Sequence, residues 1–165
     1  MAADEEEEAM ADIYVQPGES HLVERPAVLR TVLGSCVGVT FWEERRGIGA
    51  LCHPMLPRCP GRDGRSTLAG MRRYVDFAIR ELARRLDELG VVRQQTQVKV
   101  FGGADVLRVE NRDPQRPTVG QMNADRALAI LAEEGYAVLA QRLGGRQGLH
   151  IDFLTTSGEV RLRKL

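Results

Sequence analysis

With 165 residues, 43 % of them hydrophobic, the chain is long enough to bury a core of its own without disulfides or a structural metal. Its 23 basic residues balance its 23 acidic ones, which removes the electrostatic case for nucleic acid or an anionic membrane as the main partner. The longest apolar stretches are strand-sized, so membrane insertion is not expected.

The chain opens on "MAADEEEEAM", a like-charge run with nothing to bury, and residues 1–10 are expected to form a disordered acidic tail. The run lacks the basic and apolar regions of a signal peptide, which points to the cytoplasm. One domain is expected over 11–165. Order begins near "DIYVQPGES", and "AVLRTVLGS", "CVGVTFW" and "GIGALCHPML" read as strands broken by glycines. "RCPGRDGRS" is a turn-rich loop. "STLAGMRRYVDFAIRELARRLDELG" reads as one long helix, capped by Ser66 and stopped by Gly90, with Met71, Val75, Ala78, Leu82, Leu86 and Leu89 at helical spacing. "TQVKVFGGA" is a buried strand ending in a Gly–Gly turn, and "NADRALAILAEEG" is a second helix stopped by Gly135. "YAVLAQRLGG", "LHIDFLTT" and "EVRLRKL" close the chain as strands, the last two joined at Ser157–Gly158. This order predicts an α/β fold: mostly antiparallel strands, with two main helices on one face.

Three cysteines at irregular spacing fit reduced cytosolic thiols better than a disulfide framework, so each is either packing or chemistry. A hairpin turning at Glu44–Arg45 pairs Val37 with Cys52, Val39 with Ala50 and Phe41 with Ile48 on one apolar face. The same register sets Cys36 opposite His53 on the other face, where Gly38, Gly47 and Gly49 would leave room for another molecule. Opposed Cβ atoms lie roughly 4.5–5.5 Å apart, close enough for the imidazole to take the thiol proton and hold a thiolate–imidazolium pair. Backbone N–H groups at Gly34–Ser35 could receive an oxyanion, and Thr31 could orient the imidazole or bind substrate. The plainer alternatives stand beside this: a cysteine that fills space and a histidine that only satisfies a hydrogen bond. Cys52 reads as core, Cys59 as a loop bystander, His21 and His150 as surface or edge residues. A zinc site from the cysteines and His53 is not expected, because adjacent strand residues Cys52 and His53 point to opposite faces. "FGGAD" lacks the Lys and Ser/Thr of a phosphate-binding loop and reads as a turn.

Taken together, "PGES", "LRTVLGSCVGV", "GIGALCHPMLP", "VKVFGGADVL", "VGQMNADRALAILAEEG", "LGGRQG" and "TSGEVRLRKL" resemble the CheD family of chemoreceptor glutamine deamidases, over nearly everything after the acidic tail. The resemblance implies a single-domain three-layer α/β/β sandwich, with Cys36 as nucleophile, His53 as general base and Thr31 as the third member. It implies hydrolysis of glutamine side-chain amides on the cytoplasmic helices of chemoreceptors through a thioester, in an open groove and without metal or organic cofactor. It also implies binding of a CheC-type phosphatase, by a chain expected to be a monomer. The chain departs from the family pattern at Cys52, where Asn or another small polar residue is usual. It departs again at Met122, in place of a basic residue, and at Leu149–His150, in place of a basic pair. Two other readings are a non-catalytic module that docks CheC or receptors, and a related cysteine hydrolase acting on another protein. The residues name neither the receptor nor its glutamines.

Overall fold

The computed structural model describes residues 10–61, 66–107 and 109–165. Apart from Met10, the acidic run expected to be disordered lies outside the described residues. Five strands form the wide sheet, in the order β2 (Ser20–Val23), β5 (Ile48–Cys52), β4 (Val37–Glu43), β6 (Gln97–Gly102), β7 (Val138–Leu143). Four form the narrow sheet, in the order β1 (Ala11–Tyr14), β3 (Ala27–Leu33), β8 (Leu149–Leu154), β9 (Val160–Lys164). All neighbours are antiparallel except β1 with β3 and β6 with β7. The helices α2 (Val75–Glu88) and α3 (Val119–Glu133) cover the outer face of the wide sheet. The architecture is the expected α/β/β sandwich. Among the described residues no helix is long and apolar enough to cross a membrane.

The burial pattern explains the layers. β4 and β5 are buried at every residue, because one face meets the helices and the other meets the narrow sheet. Val37, Val39, Phe41, Ala50 and Cys52 join the helix-side core, while Trp42, Leu51 and Phe101 join Leu29, Leu33, Ile151 and Phe153 between the sheets. β3 alternates, with Ala27, Leu29, Thr31 and Leu33 turned inward, so one threonine is carried into the apolar layer between the sheets.

Expectations for the helices, the hairpin register and the glycines are corrected in turn. The long helix is two: α1 (Leu68–Met71) ends before Arg72, and α2 begins at Val75. At the break the Arg73 carbonyl accepts the N–H groups of Met55 and Leu56 at 2.7 and 3.0 Å, and Val75 donates to the Leu56 carbonyl at 2.8 Å. The segment after His53 thus takes the backbone partners that a continuous helix would keep for itself. The cap of α1 is the Thr67 hydroxyl, which accepts the Gly70 N–H at 3.0 Å, and not Ser66. β2 was not expected at all; its four residues pair with β5.

The second correction is the hairpin register. The turn spans Glu44 to Gly47, with Gly47 at φ 64°, and it pairs Val39 with Cys52 and Phe41 with Ala50. This is a slip of two residues, which changes every partner and leaves every side chain on its expected face. The third concerns the glycines. A Cβ on Gly38 would lie 3.0 Å from Leu33 Cδ1, and one on Gly49 would lie 2.4 Å from Thr155 Cγ2. Those glycines let the two sheets approach; they do not leave an open face for another molecule.

Candidate active site

Leu33 ends β3 in the narrow sheet and Val37 begins β4 in the wide one, so Gly34–Ser35–Cys36 is the crossing between the two sheets. Each carbonyl of this turn is held. Ala104 N–H donates to Gly34 at 2.9 Å, Gly103 N–H donates to Cys36 at 2.9 Å, and Asn123 Nδ2 donates to Ser35 at 3.0 Å. The Gly–Gly turn of "FGGAD" is therefore the brace of the cysteine turn. Gly102 stands at φ 97°, and a Cβ there would lie 2.3 Å from the Cys36 carbonyl oxygen. Gly102→Ala meets both a backbone clash and a left-handed conformation, so it should cost at least about 2 kcal/mol. A melting temperature unchanged from wild type would show that the brace yields freely.

By contrast, neither the Ser35 nor the Cys36 backbone N–H is taken by another group among the described residues. The Cys36 N–H faces its own sulfur, and this favours the thiolate less than partial burial opposes it, so the thiol is pushed above its ordinary range. The turn thus presents the Ser35 N–H as a free donor beside a half-buried thiol, with the Cys36 N–H turned to its own sulfur.

His53 leaves the end of β5 with its backbone anchored on both sides. Its N–H donates to the Glu19 carbonyl at 3.0 Å and its carbonyl accepts the Gly18 N–H at 2.7 Å. The ring lies between the sheets, only 1 % exposed. Its Nδ1 is 2.7 Å from Thr31 Oγ1, which is itself 2.7 Å from the Val15 carbonyl oxygen. Thr31 has one hydroxyl hydrogen, and the carbonyl can only accept, so that hydrogen goes to Val15. The Thr31 oxygen must then accept from His53 Nδ1–H. This fixes the tautomer and leaves Nε2 with a free lone pair. Burial pushes the imidazole down to about 4, while the Val15 carbonyl pulls weakly the other way.

The resting pair is consequently a neutral thiol and a neutral imidazole, and no hydrogen bond joins Cys36 Sγ to His53 among the described residues. Burial of both groups disfavours the thiolate–imidazolium pair until a substrate is bound. With the register slipped, the two residues share a face as diagonal neighbours and are not directly opposed; such diagonals lie roughly 7–8 Å apart at Cα. Val37 N–H continues the ladder past the end of β5, donating to the Pro54 carbonyl at 3.3 Å.

The remaining candidates fall elsewhere. Cys52 is fully buried against the helices, where desolvation raises its thiol to about 12. The Cys59 N–H donates to Asp76 Oδ1 at 2.9 Å. His21 lies 3.4 Å from Glu19 Oε2, and His150 lies 2.8 Å from Asp152 Oδ1. Among the described residues no three His, Cys, Asp or Glu side chains gather as metal ligands would. Sequence reasoning missed Asn123, which is fully buried and bonds both Ser35 and Met55. Its signal was present: it sits on the stripe of α3 that also buries Gly120, Ala124 and Ala127, where a polar residue demands a partner.

Around the turn the surface is apolar. Met55, Val106, Leu107, Val119 and Met122 are each more than a third exposed. Ser35, Val106, Leu107 and Val119 line a depression of about 120 Å³, smaller than the roughly 300–1,000 Å³ of a typical small-molecule site.

The family model described as CheD chemotactic sensory transduction matches residues 55–164; Thr31, Cys36 and His53 precede that span. The chain is also similar, over 153 residues at 40 % identity, to the probable chemoreceptor glutamine deamidase CheD 2 of Geobacter sulfurreducens, covering 93 % of this chain and 89 % of that one. It is 39 % identical over 155 residues to the protein named probable chemoreceptor glutamine deamidase CheD in Pseudomonas savastanoi pv. phaseolicola, covering 93 % and 85 %. With the protein of that name in Maridesulfovibrio salexigens it shares 33 % identity over 155 residues, covering 93 % and 91 %.

Proposed function

The chain belongs to the CheD family, and from that premise we propose that it deamidates glutamine side chains of chemoreceptors in chemotaxis, with Cys36 as nucleophile and His53 as its base. The observation that carries the reading is the chain of hydrogen bonds from Val15 through Thr31 to His53 Nδ1. It leaves Nε2 as the proton acceptor on the face that also carries Cys36.

The chemistry follows from that arrangement. A receptor glutamine places its carboxamide carbon against Cys36 Sγ. As the sulfur attacks, its proton passes to Nε2, and the Ser35 N–H, joined by the Cys36 N–H as it is released from the sulfur, receives the negative charge forming on oxygen. The imidazolium then gives its proton to the departing ammonia, leaving a thioester. Water deprotonated by the same Nε2 attacks the thioester, and the thiol and a glutamate are released. Because thiol and imidazole rest neutral, the thiolate forms only as substrate arrives, where the developing oxyanion compensates the charge.

The apolar rim supports a protein substrate. Met55, Val106, Val119 and Met122 offer a surface for the apolar stripe of an amphipathic helix, and the small depression suits one side chain. The same reading expects a cytoplasmic monomer that meets a CheC-type phosphatase transiently. The test is intact-mass spectrometry of a receptor cytoplasmic fragment incubated with the chain. A gain of about one dalton per site, mapped to glutamines and absent with Cys36→Ala, is the expected result. No gain across a broad set of receptor fragments would sink the receptor as substrate.

A further inference from the structure

Asn123 lies on α3, away from both segments that carry the proposed chemistry, yet its side chain touches each. Nδ2 donates to the Ser35 carbonyl at 3.0 Å and to the Met55 carbonyl at 2.9 Å. Ser35 is the residue before Cys36, and Met55 is two residues after His53. Both partners are carbonyl oxygens, so only the NH₂ end of the amide can face them, and the assignment of N and O is forced. Both amide hydrogens are then used. Oδ1 is left buried with no partner, an arrangement that a residue present only for packing would avoid.

Local preference argues the same way. Asn is a poorer helix former than Ala in a helix interior, and its neighbours on the buried stripe, Gly120, Ala124 and Ala127, are small. Alanine would fit the stripe, improve the helix and remove the orphaned oxygen. What alanine cannot do is hold two carbonyls at once. Gly120 makes this reach possible: a Cβ there would lie 2.4 Å from the Ala104 carbonyl oxygen, so its absence lets the start of α3 approach the turn that braces Cys36.

We infer that Asn123 is a positioning residue, a single buried amide that ties the cysteine turn to the segment following His53 and so sets their mutual geometry. The inference rests on the deamidase reading for its kinetic consequence and on the two hydrogen bonds alone for its structural one. The lever is large, since misplacement of reacting groups by about 1 Å can cost on the order of 100-fold in rate.

The experiment compares wild type, Asn123→Ala, Asn123→Ser and Ile130→Val. The last loosens the packing of α3 without touching either carbonyl. Backbone hydrogen exchange and receptor deamidation are measured on the same preparations, well below each melting temperature. Asn123→Ala is expected to lose protection at Gly103 and Ala104, whose N–H groups hold the cysteine turn, together with Met55 and Leu56 in the segment after His53, with the rest of the chain unchanged. Its kcat should fall by at least about 30-fold, with KM within a factor of about three. Asn123→Ser, whose hydroxyl can serve one carbonyl at a time, should fall between, and it serves as the deciding variant if alanine fails to fold. Ile130→Val should keep wild-type kcat. A folded Asn123 variant with kcat within threefold of wild type would overturn the inference, as would loss of protection in only one of the two segments. The exchange readout needs no receptor. A wild-type chain that left every receptor glutamine intact would therefore sink the deamidase reading while the clamp was still judged by exchange.

Discussion

Cys36→Ala should leave the chain folded and reduce receptor deamidation by roughly 10⁴-fold or more, the loss expected when a covalent nucleophile is removed. The structural cost is small because Cys36 is only half-buried and stands at the edge of the inter-sheet core. Its turn is held by backbone carbonyls that alanine retains. One sulfur lost at such a site costs on the order of 1 kcal/mol, or about 2–4 °C in a chain of this size. A fall of 10 °C or more would return Cys36 to the role of core filler. Thiol reactivity gives an independent check. Iodoacetamide should modify Cys36 well before Cys52, which is fully buried and whose thiol is raised to about 12. Because burial also raises the Cys36 thiol, its rate near pH 7 should be modest and should climb into the alkaline range. A fast, pH-independent reaction down to pH 5 would instead reveal a resting thiolate–imidazolium pair.

Much of this site was legible from residue patterns, but only to the level of faces. The two-residue periodicity of "CVGVTFW" and "GIGALCH" fixed which side each residue takes, and a slip of two residues preserves that. The partners themselves were not legible, because Gly47 at positive φ extends the turn by a choice that several turn types satisfy equally. The inward face of β3 could be read from alternation, so Thr31 could be placed toward the core. Its bond to Val15 depends on the parallel pairing of β1 with β3, a contact between segments that no local pattern specifies. The break between α1 and α2 was hidden for a similar reason. Helical spacing runs through Arg72–Tyr74, and only the competing claim of Met55 and Leu56 on the Arg73 carbonyl stops the helix there. The glycines misled most. Their spacing on one face looked like space for a ligand, when the space at Gly38 and Gly49 was already filled by side chains such as Leu33 and Thr155.

His53→Asn should reduce deamidation by roughly 10²–10⁴-fold, the range that a positioned general base contributes, and it should also flatten the acid limb of the stability curve. The second effect follows from burial. An unfolded chain carries this imidazole near its ordinary value of about 6.5, whereas the folded chain holds it at about 4. Between those values the unfolded state binds the extra proton. Stability therefore rises with pH across the window, is fully present above about 6.5, and is lost as pH falls through about 4. The full shift corresponds to at most about 3 kcal/mol. Acid loss from carboxylates such as Asp87, held below its usual range by the Arg93 guanidinium, falls lower on the pH axis and so does not imitate it. Denaturant unfolding at pH 7.5, 6, 5 and 4 measures the limb directly. Wild type should lose stability most steeply between pH 6.5 and 4, and His53→Asn should lose little there. The same burial sets the activity profile. A base that stays neutral down to about pH 4.5 keeps Nε2 competent far below the ordinary histidine range, so kcat/KM should hold a plateau through pH 5.5. An acid limb centred near 6.5 in both stability and kcat/KM would mean that the imidazole titrates as a solvated one, and burial would then not be what sets its charge.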